Sequence, residues 1–99
     1  MPAYMISQVT VTDRPKFESY IAKTKLVAAK HGGKPIAIGK QSKMLSGDSN
    51  GHQMVFVIEF ESMEKLDNWH ESDDYQALIA LRKEGSDQFM VAYEAMSAP

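Results

Sequence analysis

The stretch Gln53-Met-Val-Phe-Val-Ile-Glu-Phe60 limits the possible folds more than any other part of the chain. It is β-branched and aromatic, and too short for a buried helix, so it reads as a strand. Alternation then sends Met54, Phe56, Ile58 and Phe60 to one face and Val55 and Val57, with Gln53 and Glu59, to the other. A strand that is apolar on both sides belongs in a sheet covered on both sides.

The flanking segments supply the other elements. Tyr4 to Val11 is a short apolar run ending at Thr12-Asp13-Arg14-Pro15, which reads as a strand followed by a helix start. Thr12 or Asp13 can accept a hydrogen bond from a free first-turn amide, and Pro15 loses nothing there because its missing N–H would be unpaired anyway. Phe17, Tyr20, Ile21, Thr24 and Ala28 then recur at helical spacing as one buried stripe, and Gly32-Gly33 ends the helix. Lys34 to Lys40 and the 53–60 strand form a hairpin around the long tip containing Gly47-Asp48-Ser49-Asn50-Gly51. Ser62 caps a helix carrying Met63, Leu66, Trp69 and His70 on one side, and Ser72 starts another after a break near Glu71. That last helix carries Tyr75, Leu78, Ile79 and Arg82 on one face as far as Gly85, and Gln88 to Ala95 resumes strand character.

Two helical crossovers around a central hairpin predict an α+β fold, a ferredoxin-like βαββαβ sandwich with a four-stranded antiparallel sheet and helices on one face. The opposite face would carry Val55, Val57, Tyr4 and Ile6, with one of the two alternating sets of the last strand. A chain of 99 residues has room for one domain, 1–99, and buries only a modest share of its surface. The expected cover for the open face is therefore a second copy, a homodimer closing two sheets toward a barrel.

Composition excludes several function classes. The 13 acidic and 11 basic residues nearly balance, and the lysines are dispersed, which argues against nucleic acid and membrane surfaces as partners. There is no cysteine, which removes disulfides and thiolate chemistry and suits a cytoplasmic setting. No run approaches the ~20 apolar residues of a membrane helix. The three histidines, His31, His52 and His70, lack ligand spacing, so neither a metal nor another cofactor is expected.

Val11-Thr12-Asp13, His31-Gly32-Gly33, Val57-Ile58-Glu59-Phe60-Glu61-Ser62 and Trp69-His70-Glu71-Ser72-Asp73-Asp74-Tyr75-Gln76-Ala77 with Arg82 carry a family resemblance. Across nearly its whole length the chain resembles the domain of unknown function 1330 family, within the dimeric α+β barrel superfamily. The resemblance implies a fold and a dimer. It implies no single reaction, because proteins of that shape include cofactor-free monooxygenases, isomerases, lyases and ligand-binding regulatory domains.

The candidate catalytic residues are Glu59 and His31. Glu59 shares the open face with the valines, where low dielectric suits a carboxylate to act as a general base. His31 ends the first helix, a position that favours a cation even without catalysis, and histidine titrates near neutrality. Gln8, Tyr20 and Tyr75 are candidate ligand donors, with Trp69 and Ser72 in the same family-like cluster. Packing of Trp69 and capping by Ser72 account for those two structurally. Lys40 and Arg82 read as surface charges. Two functions follow: a cofactor-free enzyme acting on a small organic molecule in a cleft beside the sheet, or a non-catalytic module that binds a small ligand or another protein.

Overall fold

Asp13 separates the first strand from the first helix: its backbone is extended and its Oδ1 accepts from the Lys16 amide at 3.2 Å. In the computed structural model, which describes residues 1–97, this joins β1 (Ala3–Val11) to α1 (Arg14–Lys30). The last two positions of the expected 1–99 domain lie outside the described residues. At the other end of α1, Gly32 takes φ +79°, a conformation open to glycine without a Cβ clash, and Gly33 N–H returns to the Ala28 carbonyl at 2.8 Å. Gly33 is needed for space as well, since a Cβ there would lie 2.8 Å from the Phe60 ring.

The chain continues through β2 (Lys34–Lys40), β3 (Met54–Phe60), α2 (Met63–Glu71), α3 (Asp73–Gln76), α4 (Ile79–Gly85) and β4 (Ser86–Glu94). Ser62 caps α2 through the Lys65 amide. Ser72 links α2 to α3 by accepting from the Tyr75 amide at 3.1 Å and donating to the Trp69 carbonyl at 2.7 Å. The helix expected from Ser72 to Gly85 is interrupted at Ala77 and Leu78, and Leu78 makes no side-chain cap. Gly85 ends α4 against the start of α1, where its carbonyl accepts from the Thr12 and Asp13 amides at 3.0 and 3.1 Å. A Cβ there would stand 2.7 Å from the Phe17 amide nitrogen.

The four strands form one antiparallel sheet in the order β2-β3-β1-β4, the expected ferredoxin-like topology. Register sorts the side chains. Ala3, Met5, Ser7 and Val9 share the helix-covered face with Ile58 and Phe60, and all are buried. Tyr4, Ile6 and Gln8 lie opposite Glu59, Val57 and Val55 on one side and Tyr93, Val91 and Phe89 on the other, all on the open face. Of the two alternating sets of the last strand, Phe89, Val91 and Tyr93 therefore belong to the open face, and Met90 packs against the core.

Trp69 is the centre of the packing. Its ring is fully buried, 4.5 Å from Tyr75 and 5.3 Å from Phe60 between centroids, and Leu66 lies one turn earlier on α2. The expected α1 stripe is present and gains Val27.

Candidate functional site

α1 leaves the edge strand β2 largely bare, with Pro35 to Ile38 all exposed. Between that edge and the helix lies a narrow cleft that opens to solvent on its outer side. Its walls are mostly apolar, with Phe17, Ile21, Ile38, Phe56 and Ile58 among them. The polar side chains along it are Ser7, Tyr20, Thr24, Lys25 and Gln88.

Behind Tyr20 stands a hydrogen-bonded group drawn from α1, α3, α4 and β4. The hydroxyls of Tyr20 and Tyr75 are 2.8 Å apart, and both rings are buried. Arg82 donates through Nη1 to the Tyr75 hydroxyl at 2.9 Å and to the Met90 sulfur at 3.1 Å. The Tyr75 hydroxyl lies 3.3 Å from the same sulfur. Burial, reinforced by Tyr75, pushes the Tyr20 phenol far above its ordinary range, an effect that Thr24 and the charge on Arg82 only partly offset. Tyr20 is thus a neutral hydrogen-bond donor, unsuited to act as a phenolate. Thr24, one turn further along α1, is buried and its Oγ1 has no hydrogen-bond partner within 3.5 Å among the described residues.

The structure brings Tyr20 and Tyr75 together but keeps the other candidates apart from them. Glu59 lies half-buried near the end of β3, opposite Tyr4 and Lys34, at an open surface cavity lined also by Gly32 and Glu61. No ion pair within 4 Å reaches it among the described residues. His31 is the C-terminal cap of α1, half-buried, and is absent from that lining. Gln8 lies on the open face, where its side-chain oxygen accepts from Asn50 of the β2–β3 loop. The same loop is tied down by His52, whose Nδ1 is 3.0 Å from Thr10 Oγ1 and whose ring is 5.5 Å from that of Phe89. Trp69 is core, with its Nε1 unpaired among the described residues, and Ser72 caps α3.

Arg82, expected as a surface charge, is half-buried and hydrogen-bonded, because α4 carries its guanidinium back over Tyr75. Its spacing of seven from Tyr75 was the available signal. Ser7 gave none, since a serine within a strand shows its setting only once the helices cover it. Among the described residues, no group of three or more His, Cys, Asp or Glu side chains is placed to hold a metal, and no helix is long and apolar enough to cross a membrane.

Residues 2–96 match the model of a family described as Domain of unknown function (DUF1330). The chain belongs to this family. No curated protein matches it to a significant degree. Among solved structures, a protein of unknown function from Rhodopseudomonas palustris is similar over 98% of this chain and 84% of its own, with TM-score 0.80 and 19% identity. SnoaB, a cofactor-independent oxygenase from Streptomyces nogalater, is similar over 98% of this chain and 95% of its own, with TM-score 0.70 and 13% identity. A dimeric ferredoxin-like protein of unknown function from Thermobifida fusca is similar over 96% and 92%, with TM-score 0.59 and 15% identity. At these identities the likeness establishes the ferredoxin-like fold of this DUF1330 chain and leaves its activity to its own residues.

Proposed function

We propose that this chain binds a small, largely apolar organic molecule in the cleft between α1 and the sheet, with Tyr20 as the polar contact, in a homodimer formed through the open sheet face. The observation that carries the reading is the hydrogen-bonded sequence Arg82, Tyr75, Tyr20, which ends on the wall of a mostly apolar cleft. A phenol kept protonated by burial, with a guanidinium behind it, can polarise a carbonyl oxygen and stabilise negative charge developing there. That is a chemistry for a cofactor-free enzyme, and the cofactor-independent oxygenase of the same fold is consistent with it. The non-catalytic alternative uses the same cleft and the same contact. For the dimer, the support is an open face lined by Tyr4, Ile6, Val55, Val57 and Val91, together with the dimeric relative from Thermobifida fusca.

The test is a fragment screen against protein labelled at its Ile and Val methyls. Binders should shift Ile21, Ile38 and Ile58, which line the cleft, and Tyr20→Phe should weaken them about tenfold, the value of one hydrogen bond in a desolvated site. Shifts confined to Ile6, Val55 and Val91, which lie on the open face and do not line the cleft, would move the site there and overturn the reading.

One observation favours a second reading. Glu59 is half-buried beside Val57 and Tyr4 and faces an open cavity, so it can serve as a proton shuttle on the open face, with His31 near the same end of the sheet. Under that reading Glu59→Gln abolishes turnover of a substrate that Tyr20→Phe leaves unaffected.

A further inference from the structure

Tyr75 has one hydroxyl proton and two acceptors within reach, the Tyr20 oxygen at 2.8 Å and the Met90 sulfur at 3.3 Å. Arg82 fills one Tyr75 lone pair in either case. When Tyr75 donates to Met90, Tyr20 donates to Tyr75, and the cleft meets only a Tyr20 lone pair. When Tyr75 donates to Tyr20, the Tyr20 proton is freed for another acceptor, and Met90 keeps its contact from Arg82 at 3.1 Å. Both arrangements satisfy Tyr75, and sulfur is the weaker acceptor of the two. Beside Tyr20, on which it acts, the buried Thr24 hydroxyl has no hydrogen-bond partner within 3.5 Å among the described residues, and such an arrangement costs stability in an empty protein and is relieved by a polar atom placed against it. Among the described residues no carboxylate lines the cleft, and the one charged side chain there, Lys25, is exposed.

We infer that the cleft selects ligands carrying a neutral acceptor oxygen on an apolar body, that Thr24 and Tyr20 receive this oxygen together, and that Met90 sets how readily Tyr20 offers its proton. The inference rests on the cleft reading above and adds to it a ligand class, a second contact and a tuning residue. Released toward the cleft, the Tyr20 proton meets the ligand oxygen, and the Thr24 hydroxyl donates to the same atom. A carboxylate or an ammonium in this position would be desolvated with no counter-ion in contact, since Arg82 lies behind Tyr75 and Lys25 is exposed, which disfavours both at the inner end. Chains of hydrogen bonds polarise one another, so the Arg82 charge strengthens the donor at the far end.

Probes that share a six-membered ring and differ only in the head group test this: cyclohexanone, methylcyclohexane, cyclohexanecarboxylate and cyclohexylamine, titrated against methyl-labelled protein. Cyclohexanone should bind about tenfold tighter than methylcyclohexane, and the two charged probes should bind more weakly than cyclohexanone. Thr24→Val keeps the shape of the side chain and should cut the ketone preference severalfold without lowering thermal stability, because the hydroxyl it removes is unpaired. Met90→Leu removes the competing acceptor and should raise the preference. Equal binding of ketone and hydrocarbon, tighter binding of a charged probe, or a preference unchanged in both variants would overturn the inference and leave the cleft reading standing. If no probe shifts Ile21 or Ile58, the cleft reading falls and this inference falls with it.

Discussion

The two faces of the sheet are built from the same strands by the same alternation, and they end in different states. On the helix-covered face Ala3, Met5, Val9, Ile58 and Phe60 are sealed by α1 and α2, with the Trp69 ring at the centre. On the open face Tyr4, Ile6, Val55, Val57 and Val91 are half-buried, and Phe89 and Tyr93 are 40% and 53% exposed. Apolar content alone does not separate the faces. The covered face is completed within one chain and carries stability, while the open face retains apolar surface that a single chain does not bury.

That contrast can be broken most directly at Trp69. Trp69→Ala should lower the unfolding free energy by about 3–5 kcal/mol in denaturant titration, the usual cost of emptying a large aromatic site; a loss below about 1 kcal/mol would mean the covered face is not the stabilising one. On the other face, Val57→Asp should weaken the proposed self-association by roughly 100-fold, read by sedimentation, because it would bury an unpaired charge in the proposed seam. The cleft methyls should keep their positions in that variant, and an unaltered dimer would place the seam elsewhere.

Tyr20→Phe sharpens the comparison inside the covered face. It should cost about 1 kcal/mol, the net value of one buried hydrogen bond. It should also change the alkaline limb of the stability profile. Because the folded phenol sits above its ordinary value of about 10, the folded state holds a proton that the unfolded chain gives up. The stability contributed by Tyr20 is complete below pH 10 and declines as the pH rises through the folded value. Thermal midpoints measured above pH 10 should therefore fall in the parent and less steeply in Tyr20→Phe; parallel profiles would disconnect the phenol from stability. The smallest effect belongs to Glu61→Gln. Its exposed partner Lys65, at 2.8 Å, holds the Glu61 carboxyl below its usual range, but solvent screens the pair, and the melting temperature should not move measurably.

Much of the fold was legible along the chain because its signals are local. The β3 alternation, the Ser62 and Ser72 caps, and the glycines after α1 each act within a few residues and are found where the pattern placed them, and of the two caps open to α1, Thr12 or Asp13, the structure uses Asp13. The break at Ala77 and Leu78 was not legible, since no Pro, Gly or capping side chain marks it. The candidate site was legible only in part. Helical spacing put Tyr20 and Thr24 on one stripe, and Tyr75 and Arg82 on another face. Nothing in either segment showed that the two faces meet.

Strand and helix periods, caps and composition together specified the α+β order, the two apolar faces and the aromatic stripes, because these depend on near neighbours. The meeting of the Tyr20 and Tyr75 hydroxyls, 55 positions apart, depends instead on how the helices settle over the sheet. So do the half-burial of Arg82, the unpaired Thr24 hydroxyl and the choice of Phe89, Val91 and Tyr93 for the open face. These follow from long-range packing and register, which act between segments that no local pattern connects.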